Sequence, residues 1–262
     1  MGNEFPKKRV RSVLATAALS VAGAAIVAVA LGGSPARSAP LAPCAPRVIV
    51  VDLSSAARDQ QVASTAQQVV EDAAMSAIVC AQPVVAYGVA GGGEVATILT
   101  TDDVQGMAPP GPTPQIRASR LGADQRRAVD ELVTRRLKTA YTHADPKVTS
   151  VAAMYEVAAQ QSTSATDVIF VTTGVNDDAA LDLNRPLATG AGARLAMKVT
   201  VPHVDASVLT VVGIAQVDAS IPPPSPQWPE EILAFNRGLC HASGVARCRL
   251  FYAAPVSKSL DP

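Results

Sequence analysis

Aromatic and charged residues are both scarce in this chain of 262 residues. Phe, Trp and Tyr make up 3% of the sequence, and charged residues make up 17%, against roughly 25% in an average soluble domain. The 22 basic residues balance the 22 acidic ones, so the chain lacks the positive excess typical of nucleic-acid binding, and we expect no nucleic-acid partner. Hydrophobic residues nevertheless reach 48%, which excludes a disordered chain and suits one folded domain.

The N-terminus combines basic charge with a long apolar run. Residues 1–12 carry four cations, namely Lys7, Lys8, Arg9 and Arg11. Residues 13–33 are uncharged, and at about 1.5 Å per residue a helix of this length would cross the roughly 30 Å hydrocarbon core of a membrane. We therefore predict a single-pass anchor in the cell membrane, with residues 1–12 in the cytoplasm and the remaining chain outside it. The alternative is a cleaved signal peptide and a secreted protein.

The composition also divides the remaining chain. Residues 34–46 are rich in Pro, Ala and Ser, as in an extended tether. The folded domain is expected at residues 47–253, followed by a tail of residues 254–262. Four cysteines favour disulfides over free thiols in a chain that is predicted to be exported: Cys44, Cys80, Cys240 and Cys248.

The apolar pattern alternates between strands and helices along the domain. Strands are predicted at residues 48–51, 83–89, 94–99, 167–172, 208–215 and 248–253, and helices at residues 57–79, 124–141, 148–161 and 228–240. The unbroken β-branched run at 48–51 is typical of a buried central strand, and the glycines at 91–93 suit a hairpin turn. We therefore predict an α/β fold with a doubly wound, mostly parallel open sheet, Rossmann-like, with one antiparallel edge hairpin, preceded by the single N-terminal transmembrane helix.

This topology bears on the disulfide pairing. Four cysteines allow three connectivities. In a doubly wound sheet each helix returns to the edge where the strands begin, so Cys80, at a helix end, should lie near Cys44, just ahead of the first strand. The same reasoning favours Cys240 with Cys248.

Asp52 is the most suggestive candidate for a functional residue. It follows the first buried strand and precedes Ser54 and Ser55 at the start of a helix, the place where open α/β sheets bind ligands. A carboxylate and nearby hydroxyls are hard oxygen ligands suited to Mg²⁺ or Mn²⁺. The alternative is that Asp52 and Ser54 only cap the following helix.

The order of these motifs resembles a known family. A buried strand, an Asp-x-Ser segment, a long helix, a Gly-rich hairpin and a strand ending in Thr-x-Gly resemble the von Willebrand factor A-like family over roughly residues 47–253. That resemblance implies a doubly wound α/β fold and a metal-ion-dependent adhesion site, which combines D-x-S-x-S with a later Thr and a later Asp. Asp52 and Ser54 match the first element, whereas Ala56 stands where its second Ser belongs.

The rest of the implied metal site is degenerate. Thr149 is the candidate for the later Thr, and Thr173 stands where the family has the later Asp. Asp102, Asp177 or Asp178 could supply the missing carboxylate from a loop, or they are solvated turn residues. The candidate metal ligands are therefore Asp52, Ser54 and Thr149. We expect no cofactor, with Mg²⁺ or Mn²⁺ as the alternative.

No catalytic motif in the sequence identifies this chain as an enzyme. The sequence has no G-x-S-x-G, P-loop or H-E-x-x-H motif, and we assign no catalytic residue. The first expectation is a membrane-anchored domain outside the cytoplasm that binds a protein or envelope component without catalysis. The alternatives are a divalent-metal-dependent adhesion or sensing module and a secreted hydrolase in which Asp52 is a nucleophile or a metal ligand.

Overall fold

A computed structural model describes five stretches of the chain, residues 44–91, 93–144, 150–177, 181–216 and 223–252. The predicted basic segment 1–12, the predicted anchor 13–33, most of the tether 34–46 and the tail 254–262 lie outside the described residues. Within the described stretches, no helix is both long and apolar enough to cross a membrane.

Six strands form one sheet: β1 (Arg47–Asp52), β2 (Val84–Val89), β3 (Val95–Leu99), β4 (Asp167–Val171), β5 (Val208–Val212) and β6 (Cys248–Phe251). Their spatial order is β3-β2-β1-β4-β5-β6. Only β2 and β3 pair antiparallel, and the other neighbours are parallel. The first strand therefore lies in the middle of the sheet, the next two strands complete one edge, and the last three complete the other. This confirms the predicted α/β fold with a mostly parallel sheet and one antiparallel edge pair.

Helices cover both faces of this sheet. In the described stretches they are α1 (Leu53–Arg58), α2 (Gln60–Cys80), α3 (Thr101–Gln105), α4 (Pro114–Arg120), α5 (Ala123–His143), α6 (Val151–Gln161), α7 (Ala191–Ala196) and α8 (Trp228–Ala242). The single helix predicted at 57–79 is two helices, because Asp59 has extended backbone angles and its carboxylate caps α2 by accepting from Gln61 N at 2.7 Å. Helices α3, α4 and α7 were not predicted, since each is too short to show a periodic apolar stripe.

The core is divided between the two faces of the sheet. Ile49 and Val51 pack with α2 and α5, whereas Val48 and Val50 pack with α6 and α8. Because both faces of β1 are covered, these four positions are all apolar, which explains the unbroken run in the sequence.

Two disulfides lie where the parallel strands begin. One joins Cys44, ahead of β1, to Cys80 at the end of α2, with Cα atoms 5.4 Å apart. The other joins Cys240 in α8 to Cys248 at the start of β6, with Cα atoms 6.3 Å apart. These are the local pairs that the order of strands and helices favours.

Candidate functional site

The candidate site lies at the carboxyl ends of β1 and β4. The chain leaves β1 to form β2 and β3 on one side and later returns to form β4 on the other. The crevice between β1 and β4 is therefore the topological switch point, where doubly wound sheets bind ligands. Asp52 ends β1, and Thr172 directly follows β4.

The Asp52 carboxylate is buried and accepts five hydrogen bonds. Its Oδ1 atom accepts from the backbone N atoms of Ser54 and Ser55, both at 3.1 Å, and from Ser54 Oγ at 2.5 Å. Its Oδ2 atom accepts from Ser55 Oγ at 2.6 Å and from Thr172 Oγ1 at 2.8 Å. A carboxylate offers about four lone-pair positions, so this one is saturated. Asp52 thus caps α1 and also ties β1 to the residue that follows β4.

Three hydroxyl groups donate to this carboxylate, those of Ser54, Ser55 and Thr172, and a fourth hydroxyl, that of Thr173, contacts Ser55. We call these four residues the hydroxyl cluster. The Oγ atoms of Ser55 and Thr173 are 2.9 Å apart, which extends the hydrogen bonds outward from Asp52. Thr172 Oγ1 also accepts from the backbone N of Gly174 at 2.9 Å. The cluster therefore fixes the first turn of the segment after β4.

Hydrogen bonds of two buried asparagines connect the segment after β4 to helices α6 and α8. Gly174 has a φ of 69°, and its carbonyl accepts from Asn236 Nδ2 of α8 at 3.0 Å. Asn176 accepts from the backbone N of Val151, at the start of α6, at 3.0 Å and donates to the Leu181 carbonyl at 2.9 Å. The described part of this segment is thus a constrained surface beside the hydroxyl cluster.

Two of the three predicted metal ligands come together in this site. Asp52 and Ser54 are in direct contact, and the capping role considered as the alternative is present for Asp52. Thr149 lies outside the described residues, so its predicted role stays a prediction. Ser55 and Thr172 complete the site although they were not selected as ligands. Ser55 could have been found because it directly follows Ser54, and Thr172 because it is the Thr of the Thr-x-Gly motif.

The acidic residues considered as substitutes occupy different places. Asp102 lies in α3, at the opposite edge of the sheet, because β3 runs antiparallel and the neighbouring Thr101 accepts from the backbone N of Val84 at the start of β2. Asp177 follows β4, and its Oδ2 atom accepts from Asn184 Nδ2 at 2.8 Å. Asp178 lies outside the described residues. Asp102 is therefore wrong as a candidate for the missing carboxylate.

The donor set bears on metal binding. The hydroxyl cluster supplies hard oxygen atoms. Among the described residues, Asp52 is the one carboxylate in contact with the cluster, and its lone pairs are taken by protein donors. The described residues contain no group of three or more His, Cys, Asp or Glu side chains that could hold a metal ion. In the described part of the site, the Asp52 carboxylate is thus used for hydrogen bonds within the protein.

Comparisons with known proteins return nothing for this chain. No protein-family model, no curated protein and no solved structure matches it.

Proposed function

We propose that this chain is a membrane-anchored domain outside the cytoplasm, similar to the von Willebrand factor A-like family, that binds a protein or envelope component without catalysis. The observation that carries the proposal is the saturated Asp52 carboxylate, which holds β1, α1 and the segment after β4 together. This arrangement creates a constrained surface at the switch point, where this kind of fold binds ligands. A carboxylate that accepts five hydrogen bonds from the protein stabilises the local structure. Because its lone pairs are occupied, it is not poised to take a proton or attack a substrate.

The proposed location rests on two features. Both cysteine pairs form disulfides, which persist in oxidising compartments outside the cytoplasm. The basic residues 1–12 followed by the apolar residues 13–33 have the order of a membrane anchor with its basic end inside. Cleavage after the apolar run would instead release the domain as a secreted protein.

Site-specific photo-crosslinking in the native cell tests the binding surface. A photoreactive residue replaces Arg185, which is exposed in the segment after β4, and a matched one replaces Ser119, which is exposed on α4 at the opposite edge of the sheet. We expect a discrete adduct from position 185 and none from position 119. Equal labelling at both positions, or none at position 185, contradicts the proposed surface.

A second proposal is a divalent-metal-dependent adhesion or sensing module. The observation that favours it is the hydroxyl cluster at the switch point, in which three hydroxyl groups donate to one carboxylate and a fourth contacts Ser55. Calorimetric titration of the metal-stripped full chain with Mg²⁺ and Mn²⁺, beside the Asp52→Asn variant, separates the two functions. Micromolar binding that the variant loses favours the metal-dependent module, and no heat up to millimolar metal favours metal-free binding.

A further inference from the structure

The described chain enters the domain on the side of the sheet where the parallel strands begin, which we call the amino side. Cys44 lies just ahead of β1, and its disulfide holds it against the end of α2. The backbone N of Asp167 donates to the Pro46 carbonyl at 2.9 Å. Arg47 N donates to the Pro83 carbonyl at 3.0 Å. The point of entry is therefore fixed between the starts of the neighbouring strands β2 and β4.

The hydroxyl cluster lies on the opposite side of the sheet, which we call the carboxyl side. Asp52 ends β1 there, and α1 and α2 follow it. α2 then runs back across the sheet, from Gln60 on the carboxyl side to Cys80 on the amino side. Its 21 residues, at about 1.5 Å each, cover about 30 Å. The entry point and the hydroxyl cluster are thus separated by roughly the length of this helix.

A short segment connects the domain to the predicted anchor. Residues 34–43 lie between the apolar run and Cys44, and a segment of this length spans at most about 33–36 Å when fully extended. Roughly 5–7 Å of this reach is needed to cross the headgroup region on one side of a bilayer. The remaining reach is about 30 Å, which does not exceed the length of α2.

This reach restricts how the domain can stand at a membrane. When the amino side faces the bilayer, the connecting segment keeps its conformational freedom, and a flexible chain of this length has an r.m.s. length of about 17 Å. When the carboxyl side faces the bilayer, the segment has to run along the whole domain and turn around its amino side at full extension. Full extension removes nearly all conformational freedom, so the inverted arrangement is strongly disfavoured.

We infer that the amino side of the sheet faces the membrane and that the hydroxyl cluster faces away from it. This orientation rests on the membrane attachment proposed above and deepens that proposal, because it specifies the direction from which the partner approaches. The segment after β4 is held beyond the reach of the lipid headgroups. Its partner is therefore a macromolecule that lies farther from the membrane than the domain does, and not a lipid.

Two exposed positions on α5 form a matched pair for measuring the orientation. Asp124 lies in the first turn of this helix and Thr142 in the last. The second position follows the first by 18 residues, which make five full turns, so both lie on one face of α5. They are about 27 Å apart along the helix axis.

The two ends of α5 lie on opposite sides of the sheet. Its first turn is on the amino side, because Gln125 donates to the carbonyl of Met107, just after α3. Its last turn is on the carboxyl side, because His143 lines the same cavity as Leu53 and Ala90, which directly follow β1 and β2. Position 124 should therefore lie close to the bilayer and position 142 far from it.

Energy transfer to labelled lipids measures both heights above the bilayer. The full chain is reconstituted in vesicles of phosphatidylethanolamine and phosphatidylglycerol that carry an acceptor dye on their headgroups. A non-natural residue with a donor dye replaces Asp124 in one variant and Thr142 in the other. We expect stronger transfer from position 124, with a difference in height that approaches about 27 Å.

A longer connecting segment is the control. Insertion of about twenty Gly and Ser residues between Ser38 and Ala39 raises its r.m.s. length to about 30 Å, so the domain can turn over and the difference in transfer should disappear. An unchanged difference in the lengthened chain overturns the explanation by reach, because the amino side would then bind lipid itself.

The remaining outcomes separate this orientation from the membrane attachment. Equal transfer from both positions, or stronger transfer from position 142, in a chain that floats with the vesicles overturns the orientation and leaves the attachment intact. A chain that does not float with the vesicles refutes the attachment, and the orientation with it.

Discussion

Thr172 has two hydrogen bonds that no apolar residue can replace. Its hydroxyl donates to Asp52 and accepts from the backbone N of Gly174, and the side chain is fully buried. Thr172→Val keeps the shape but leaves the Gly174 N–H without its acceptor, so we expect the free energy of unfolding to fall by about 1–3 kcal/mol. Denaturant unfolding measures this change. Thr172→Ser keeps the hydroxyl and should lose clearly less, and an equal loss would refute the hydrogen-bond explanation.

The predicted resemblance to the von Willebrand factor A-like family places a carboxylate at the position of Thr173, and adding that charge tests whether the geometry can hold a metal ion. Thr173→Asp adds a second negative charge beside the Asp52 cluster, so the variant should be less stable than wild type in EDTA. Added Mg²⁺ should then raise its Tm, with about 2.7 kcal/mol of stabilisation at a concentration one hundred times Kd. The uncharged Thr173→Asn is the control. Equal responses of both variants to Mg²⁺ would show that the cluster does not position metal ligands.

The contact of α7 with α8 depends on a glycine. A Cβ atom added to Gly192 would lie 1.9 Å from the backbone oxygen of Glu231, and backbone cannot rotate away as a side chain can. Gly192 N also donates to the Glu231 carboxylate at 2.8 Å. Gly192→Ala should therefore separate the two helices and cost about 3 kcal/mol or more. Gly106→Ala, where no atom lies within 4 Å of the added Cβ, should change stability little, and similar losses in both variants would contradict this account.

The contact of α2 with α5 should respond to pH. Burial is the main cause that raises the pKa of Glu71. A hydrogen bond with Asp130 and the negative charge of Asp130 raise the pKa further, whereas a hydrogen bond from Gln67 lowers it. The charge of Asp72 acts in the same direction as burial. A raised pKa means that the folded state holds the proton more tightly. The associated stabilisation is complete below the ordinary pKa of 4.5 and is lost as the pH rises through the raised value.

Glu71→Gln removes that titration. We expect the variant to be more stable than wild type at pH 7, and the difference should shrink as the pH falls to 4. Urea unfolding across this range measures it. Glu156→Gln, an exposed position on α6, is the control and should parallel wild type. A difference that is independent of pH would mean that Glu71 acts through packing.

Elements that are long, or that are covered on both faces of the sheet, could be predicted from the sequence. Short elements could not. β1 was recognisable because helices cover both its faces, and the hairpin of β2 and β3 because of its glycine turn. α4 has no buried residue and α7 has only two, so neither produces a periodic pattern. The interruption at Asp59 was also missed, since α1 and α2 together resemble one amphipathic helix.

At the scale of the whole molecule, the site could be predicted only in part, because the residues that form it lie far apart in the sequence. Asp52 could be selected because it ends a buried strand beside Ser54. Its bond to Thr172 joins residues 120 positions apart and becomes visible only when β1 and β4 are neighbours. Asn236 gave no local signal, because its role depends on how α8 packs against the sheet.

The two disulfides should contribute unequally to the stability of the molecule. The bond between Cys44 and Cys80 spans 36 residues, and the bond between Cys240 and Cys248 spans 8. Loop-closure entropy assigns about 4 kcal/mol to the first and about 2.5 kcal/mol to the second. We therefore expect the double Ala variant of Cys44 and Cys80 to lose about 1.5 kcal/mol more than that of Cys240 and Cys248 in chemical denaturation. The reverse order would show that packing, rather than chain entropy, dominates.

The disulfide between Cys44 and Cys80 also determines how the domain responds to a pulling force. A pull on the N-terminal side enters the described chain at Cys44, directly ahead of β1. Without the disulfide, such a force would pass into the sheet through β1 alone. With it, the tension divides at Cys44 and passes also into the end of α2, so residues 44–80 cannot be drawn out as a slack loop. If the domain is attached through its N-terminus, a pulling force would therefore be shared by β1 and α2, and the surface proposed for binding would keep its shape under tension.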